Sequence, residues 1–473
     1  MRKSTARPRR VHRAAGAAVV AAAAIVLAAC SGGGGGGEGD DGDAPAESIT
    51  FWTPHVTPER LAAQEAVAEQ FTEETGIEVE VVALAGPDQN TTLVAGAASG
   101  DVPDVILHGF DQAAAWVDQG LLDQEAAQAV IDELDPSTFA EAALNLSSID
   151  GVPTGVPMDG WGHMLVYRTD LFEAAGLDAP ESIEDVAAAA TRLHEDGYTG
   201  IALGTQAGNP FTRETMEAML LANGCELVTD GTVTLDSPEC VEGLRLYQEM
   251  AASGGSGELD VEAARAAYLA GDAAMLVFSS HILDELAGLD PNNPVTCDEC
   301  TENPQFLLEN SGFAMGLSGP DNDEPQLFGN ILQLGIPVGA HTEEAQQFAE
   351  FLLSDGYMES VGSATEGRIP VRLGTPENPT EYTEAWANLP FGAAGDGSSI
   401  AEVYGQDVAD LISGGSESYA RWGAGTADAL LASVVAQQNV IPQNLGSFFT
   451  GGDPAEVATG LQTAVESAQQ DAG

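Results

Sequence analysis

A chain of 473 residues is longer than one hydrophobic core usually organises, so two domains are expected. Its 15 Lys and Arg stand against 74 Asp and Glu; six of the basic residues (Arg2, Lys3, Arg7, Arg9, Arg10, Arg13) lie at the amino terminus, and the chain beyond them has nine arginines, no lysine and a net charge of −65. So acidic a surface repels phosphate backbones, which excludes nucleic-acid binding, and the missing lysine excludes both a P-loop and a Ser-x-x-Lys nucleophile from the mature chain. Charge of this density is expected of a protein living in strong salt, where screening within ~3 Å at 1 M quenches self-repulsion. An acidic exported protein with no special habitat is the alternative.

The first 29 residues read as a targeting segment. Basic residues to Arg13 precede an alanine-rich run from Ala14 to Ala29 that is too short to span a bilayer stably. It closes on Leu27-Ala28-Ala29-Cys30, which is similar to the bacterial lipobox. That resemblance implies a signal peptide over 1–29 and lipidation of Cys30, with an ordinary cleaved signal as the alternative. Residues 30–47, Gly-rich and acidic, are expected to be a tether reaching on the order of 20 Å.

Beyond the tether, Ile49 to Trp52 predicts a strand. Thr57-Pro58-Glu59 predicts a helix start, and Leu61, Gln64, Ala68 and Phe71 share one helical face that ends at Gly76. Alternating Ile77, Val79 and Val81 give a second strand, so residues 49–81 form a βαβ unit. A further helix to Ala98 leads to the buried strand Val105–Leu107, with His108, Phe110 and Asp111 at its carboxyl end, where ligands sit in open α/β sheets. Trp116 reads as core.

The stretch Val152 to Leu177 (V-P-T-G-V-P-M-D-G-W-G-H-M-L-V-Y-R-T-D-L-F-E-A-A-G-L) reads as two Pro/Gly-punctuated extended pieces, a strand from Met164 to Tyr167, and a short helix stopped by Gly176. Such a piece suits a crossing between two lobes, with Asp159, Trp161 and His163 facing a cleft. An amphipathic helix follows from Pro180 to His194. Then comes a strand from Ile201 that runs into a polar loop, where Gln206 and Asn209 can hydrogen-bond hydroxyls and Phe211 can stack; a plain surface loop with one buried Phe explains it equally well.

Four cysteines remain in an exported context, where disulfides persist. Cys225 and Cys240 flank a hairpin around Asp230-Gly231, whose ends lie together; a bond there would contribute about 3 kcal/mol in the chain-entropy model. Cys297 and Cys300 suit a local disulfide, half a zinc site or a redox pair, with the disulfide preferred because no second ligand pair follows. Three pairings are open.

Several motifs together resemble the extracellular solute-binding proteins of ABC importers, the sugar-type, maltose-binding-like family. They are F-T-E-E-T-G-I-E-V-E-V, G-x-x-P-D-V, G-V-P followed by Y-x-x-D-L-F-x-x-A-G-L, and Y-L-A-G-D-A-A-M at 268–275. The resemblance covers nearly the whole chain after the tether. It implies an α/β, two-lobed periplasmic-binding-protein fold of type II with discontinuous lobes, each a mixed sheet flanked by helices: 48–160 with 314–366, and 161–313 with 367–473. Gly312 to Leu317 would be a strand returning to the first lobe, Thr342 to Leu353 a helix, and G-R-I-P-V-R at 367–372 a second return crossing. Helices near 402–412, 426–437 and 455–469 complete the chain. The family commonly places a sugar-stacking Trp where His281 stands.

The resemblance further implies capture of a small, sugar-like solute between the lobes and its delivery to an ABC permease by a monomer held at the outer face of the cytoplasmic membrane through its lipid alone. The loops that match the family's site carry Trp52, His55, His108, Phe110, Asp111, Asp159, Trp161, His163, Gln206, Asn209, Phe211 and His281. Trp52 also reads as core at the end of the first strand. No catalytic residue, cofactor or metal is expected: His194-Glu195 lacks a second histidine four residues on, and carboxylate pairs occur throughout such a chain. A secreted carbohydrate-active enzyme and a transporter-independent surface sensor of the same fold are the rival readings.

Overall fold

The computed structural model describes residues 46–255, 257–392 and 397–472; the targeting segment, Cys30 and nearly all of the tether lie outside them. The elements that position the site are β1 (Ser48–Thr53), α1 (Pro58–Thr75), β2 (Glu78–Ala83), β3 (Val105–Gly109), α2 (Phe110–Asp118), β4 (Val156–Arg168), α3 (Pro210–Ala222), β5 (Met275–Ser279), α4 (Ile282–Leu286), β6 (Ser311–Ala314), β7 (Asn322–Gly335), β8 (Ile369–Pro370), β9 (Tyr419–Ala420) and α5 (Ala429–Gln437).

The opening βαβ unit forms as its pattern predicts. β1 and β2 pair in parallel from Ser48 with Glu78 to Thr53 with Ala83. Pro58 starts α1, and Gly76 ends it at φ 80°, a left-handed conformation that glycine adopts without a Cβ penalty. β3 adds in parallel on the other side of β1.

Two long antiparallel strands, β4 and β7, carry the sheet across the molecule. Gly162 faces Gly329, Trp161 faces Asn330 and Gly160 faces Ile331 at their middle. Toward one end, Leu332 to Gly335 pair with β3; toward the other, Leu165 to Arg168 pair with β6, and His163 to Tyr167 pair with β5. β8 joins β4 at Asp159 and Gly160. Side chains pack accordingly. Ile49, Phe51, Phe71, Leu107, Met158, Leu334 and Phe348 make one core. Leu165, Ile183, Met219, Tyr247, Trp422 and Val435 make a second, beside a third around Met164, Tyr268, Leu276 and Trp386. The result is the two-lobed α/β architecture.

Three local expectations are corrected. The crossing is one continuous 13-residue strand, not extended pieces before a strand. Gly160 and Gly162 do not interrupt it, because their bare faces receive the Tyr419 ring: a Cβ on Gly162 would lie 2.9 Å from Tyr419 Cε1, and one on Gly329 opposite would lie 2.3 Å from Cγ. The segment around Gly312 does not return to the first lobe, since β6 pairs with the far half of β4; the return is made by β7. Ile201 onward forms only an isolated bridge, Ala202 to Leu276, before α3 begins at Pro210. The hairpin at Asp230-Gly231 does form, with both residues at positive φ. Of the three disulfide pairings, the structure has Cys225–Cys240 and Cys297–Cys300.

Candidate functional site

The face of the crossing that carries Asp159, Trp161 and His163 lies where the lobes meet, and buried charge collects at both of its ends. At one end Asp159 is buried and accepts from Arg368 Nη2 at 2.5 Å. The same guanidinium donates through Nη1 to Ser360 O at 2.6 Å, but its Nε has no partner. The loop after β1 brings His55, and the first turn of α1 brings Arg60. The turn from β5 to α4 brings Ser280 and His281, whose ring is so close to Gly367 that a Cβ there would lie 1.5 Å from Cε1. Burial first, then Arg368 and Arg60, hold the His55 imidazole down at about 2; burial, Arg60 and Arg265 hold His281 at about 4. Both rings are therefore neutral at physiological pH.

At the other end, Arg421 threads between the lobes. It donates through Nε to Glu217 Oε1 at 2.9 Å and through Nη2 to Asp111 Oδ1 at 3.1 Å, and its guanidinium stacks over Phe110 at 4.9 Å and Phe328 at 4.6 Å. Arg213, one turn into α3, lies 3.8 Å from Asp111, 3.2 Å from Glu214 and 3.4 Å from Glu217. His163 Nε2 meets Glu214 Oε2 at 3.1 Å. Burial opposes ionisation of Glu214, but that hydrogen bond together with Arg213 and Arg421 outweighs it and holds the carboxyl below its ordinary value. Ser433 and Gln437 of α5 both donate to the backbone carbonyl of Asp111, which seats α5 of the second lobe along α2 of the first.

Trp161 stands between these ends. It is half-buried, with its ring edge-on to His163 at 5.3 Å and tilted to Phe328 at 6.2 Å. Phe211 packs under His163 at 5.8 Å and is itself buried. The remaining sequence candidates lie apart from this face or are occupied. Trp52 is buried with Leu93, Ile106, Trp116 and Leu122. His108 is fully buried in β3 against Trp116, 4.8 Å between ring centroids, and burial holds it at about 4. Asn209 caps α3 through Phe211 N and donates to Gln206 Oε1 at 2.7 Å, so the two amides satisfy each other.

Sequence reasoning named the histidines, aromatics and Asp111 of this junction but not Arg60, Arg213, Glu214, Glu217, Arg368 or Arg421. A usable signal was present. Nine arginines in so acidic a chain are too few to serve as surface counter-charge, and Arg213, Arg368, Arg372 and Arg421 are all buried. Among the described residues no group of three His, Cys, Asp or Glu is placed to hold a metal, and no helix is long and apolar enough to cross a membrane.

Comparison with known proteins matches residues 54–359 to the family model described as bacterial extracellular solute-binding protein. A putative ABC transporter periplasmic-binding protein of Escherichia coli strain K12, YcjN, is 26% identical over 402 residues, spanning 82% of this chain and 87% of that one. Among solved structures, the GacH receptor of Streptomyces glaucescens, determined unliganded and with acarbose, superposes with a TM-score of 0.63 at 18% identity over 90% of this chain and 100% of its own. The cyclic alpha-maltosyl-1,6-maltose binding protein of Arthrobacter globiformis gives 0.66 at 18% identity over the same shares. Both share the two-lobed fold.

Proposed function

The chain belongs to the bacterial extracellular solute-binding protein family, and from this premise we propose that it captures a sugar-like solute between its lobes and hands it to an ABC importer. The family is one of binding proteins, not enzymes. What carries the reading is the lobe junction: polar and aromatic side chains from both lobes converge on one face of the crossing, and several keep a buried polar atom unpartnered, including His55 Nε2, His163 Nδ1, Arg368 Nε and Arg421 Nη1. A buried donor without a partner costs about 1–3 kcal/mol, so a guest rich in oxygen stabilises this surface. A solute touching both lobes shifts the open–closed equilibrium toward the closed form. The permease then has a conformation to recognise.

Support for a sugar comes from the binding proteins of like fold, one solved with acarbose and one named for a cyclic maltosyl-maltose, and from Trp161, whose flat face suits the C–H surface of a pyranose. The decisive experiment is a thermal-shift screen in molar salt across sugars, polyols and amino acids, followed by calorimetric titration. Binding confined to amino acids, or to none of the library, would remove the sugar reading. We place the mature protein at the outer face of the cytoplasmic membrane through lipid on Cys30. The Cys30→Ala variant is expected to stay unprocessed or to leave the membrane fraction.

A further inference from the structure

We propose that the solute is acidic, a carboxylate on a hydroxylated body such as a sugar acid, and that Arg60, His55, Ser280 and His281 hold its charge. This rests on the solute-binding reading and narrows the class of solute.

The inventory of unpartnered groups at the Asp159 end of the junction is one-sided. His55 Nε2, Ser280 Oγ, His281 Nδ1 and Arg368 Nε have no partner, and His55, Ser280 and Arg368 are buried. The acceptors nearby are taken: Asp159 by Arg368, and Glu366 by the amide of Gly392 at 3.4 Å. Glu285, behind them, keeps one oxygen free but engages Arg265 at 2.8 Å with the other. Arg60 forms no hydrogen bond or ion pair among the described residues, and Glu366 and Asp159 act on it only at longer range. Groups that can only donate have a demand that only acceptors meet, and a deprotonated acid is acceptor throughout.

Charge points the same way. Both imidazoles face arginines, and the influence of Arg60 reaches each of them. A local concentration of positive charge in a chain of net charge −65 is costly to desolvate on closure unless an anion is enclosed with it. A neutral hydroxyl leaves the Arg60 charge unmatched. His55 and Arg60 come from the β1–α1 connection and Ser280 and His281 from the β5–α4 turn, so one carboxylate held by all four ties the lobes together.

The test uses the mature chain in molar salt, with glucuronate and gluconate in one arm, glucose, maltose and sorbitol in a second, and inorganic phosphate in a third. The sugar acids are expected to raise the unfolding midpoint and to bind at least tenfold tighter than the neutral compounds in titration calorimetry. Arg60→Gln should abolish that preference while leaving the unliganded midpoint nearly unchanged. Neutral sugars binding as tightly as the acids, phosphate binding in their place, or Arg60→Gln keeping the preference would each overturn the acidic assignment and leave the solute-binding reading standing. Absence of binding by every compound of these arms and of the wider library would overturn both.

Discussion

Arg368 and Arg372 lie four residues apart on the same crossing segment, and the structure treats them differently. Arg372 is saturated: Nε donates to Thr138 Oγ1 at 3.2 Å, Nη1 to Leu353 O at 2.6 Å and Nη2 to Leu134 O at 3.2 Å, while its guanidinium lies over the rings of Tyr382 and Phe139. All of these partners belong to the first part of the chain or to its return after β7. Arg368, facing the lobe junction, pairs with Asp159 yet keeps Nε unpartnered, as Arg213 and Arg421 each keep a nitrogen at the other end. A cation that has used its donors is holding the fold together. One that has kept a donor at a junction between moving parts is available to a guest, and that distinction separates scaffold from site among the few cations of this chain.

The comparison can be broken most forcefully at its structural member. Arg372→Leu strips two buried carbonyls and the Thr138 hydroxyl of their donor, so a loss of at least ~3 kcal/mol is expected at about 1–3 kcal/mol for each group left unsatisfied. Urea unfolding measures it, and added solute should not restore it selectively. A loss below ~1 kcal/mol would show that water replaces the guanidinium.

Protonation of the junction histidines gives the next largest effect. Folded-state values of about 2 for His55 and about 4 for His281 lie below the ordinary 6.5, so these groups favour the unfolded chain once protons are taken up. Their neutral state supports the fold fully above pH 6.5, and stability falls as pH drops from 6.5 toward 4, by up to about 1.4 kcal/mol per pH unit for each group. His55→Gln and His281→Gln should flatten that slope. The carboxyl of Glu214, held low by His163, Arg213 and Arg421, adds stability that is present above pH 4.5 and is lost only as pH falls below it; Glu214→Gln should therefore alter the profile in that lower window alone.

Trp161→Ala sharpens the comparison from the ligand side. Losing an aromatic stack costs about 0.5–1.5 kcal/mol beyond the area lost, so affinity should weaken more than tenfold while the half-buried position leaves unliganded stability little changed. Calorimetric titration decides, and unchanged affinity takes Trp161 out of the site. Smallest is the effect of Arg60→Gln on the unliganded protein, expected within ±0.5 kcal/mol because this arginine has no bonded partner to abandon. Across all of these, unfolding midpoints should rise from 0.01 M salt, where repulsion extends ~30 Å, to molar salt; a flat curve would end the high-salt interpretation of the −65 charge.

Much of this was legible in the chain. Period-two alternation at 77–81, the Thr57-Pro58 helix start, the Gly76 stop and the Asp230-Gly231 turn are local signals with local causes, and all appear where the pattern puts them. The crossing is recognisable from its residues, but its continuity is not. Gly160 and Gly162 look like interruptions until Tyr419, more than 250 residues away, is seen lying on their bare faces. Those glycines suggest scant packing around Trp161; the structure shows that they answer to the opposite face.

The sequence by itself determined the fold class, the order of elements, the exported acidic character and the region of the junction, because hydrophobic period, turn residues and composition are properties of neighbours along the chain. Tertiary structure alone decided that cysteines 225 and 240 pair, that β7 and not the Gly312 segment returns to the first lobe, and that Asp111 of the first lobe meets Arg213 and Arg421 of the second. It also decided which arginines are saturated and which are not. Those outcomes depend on which distant groups share a buried volume and compete for the same donors and acceptors, and no window of sequence contains that competition.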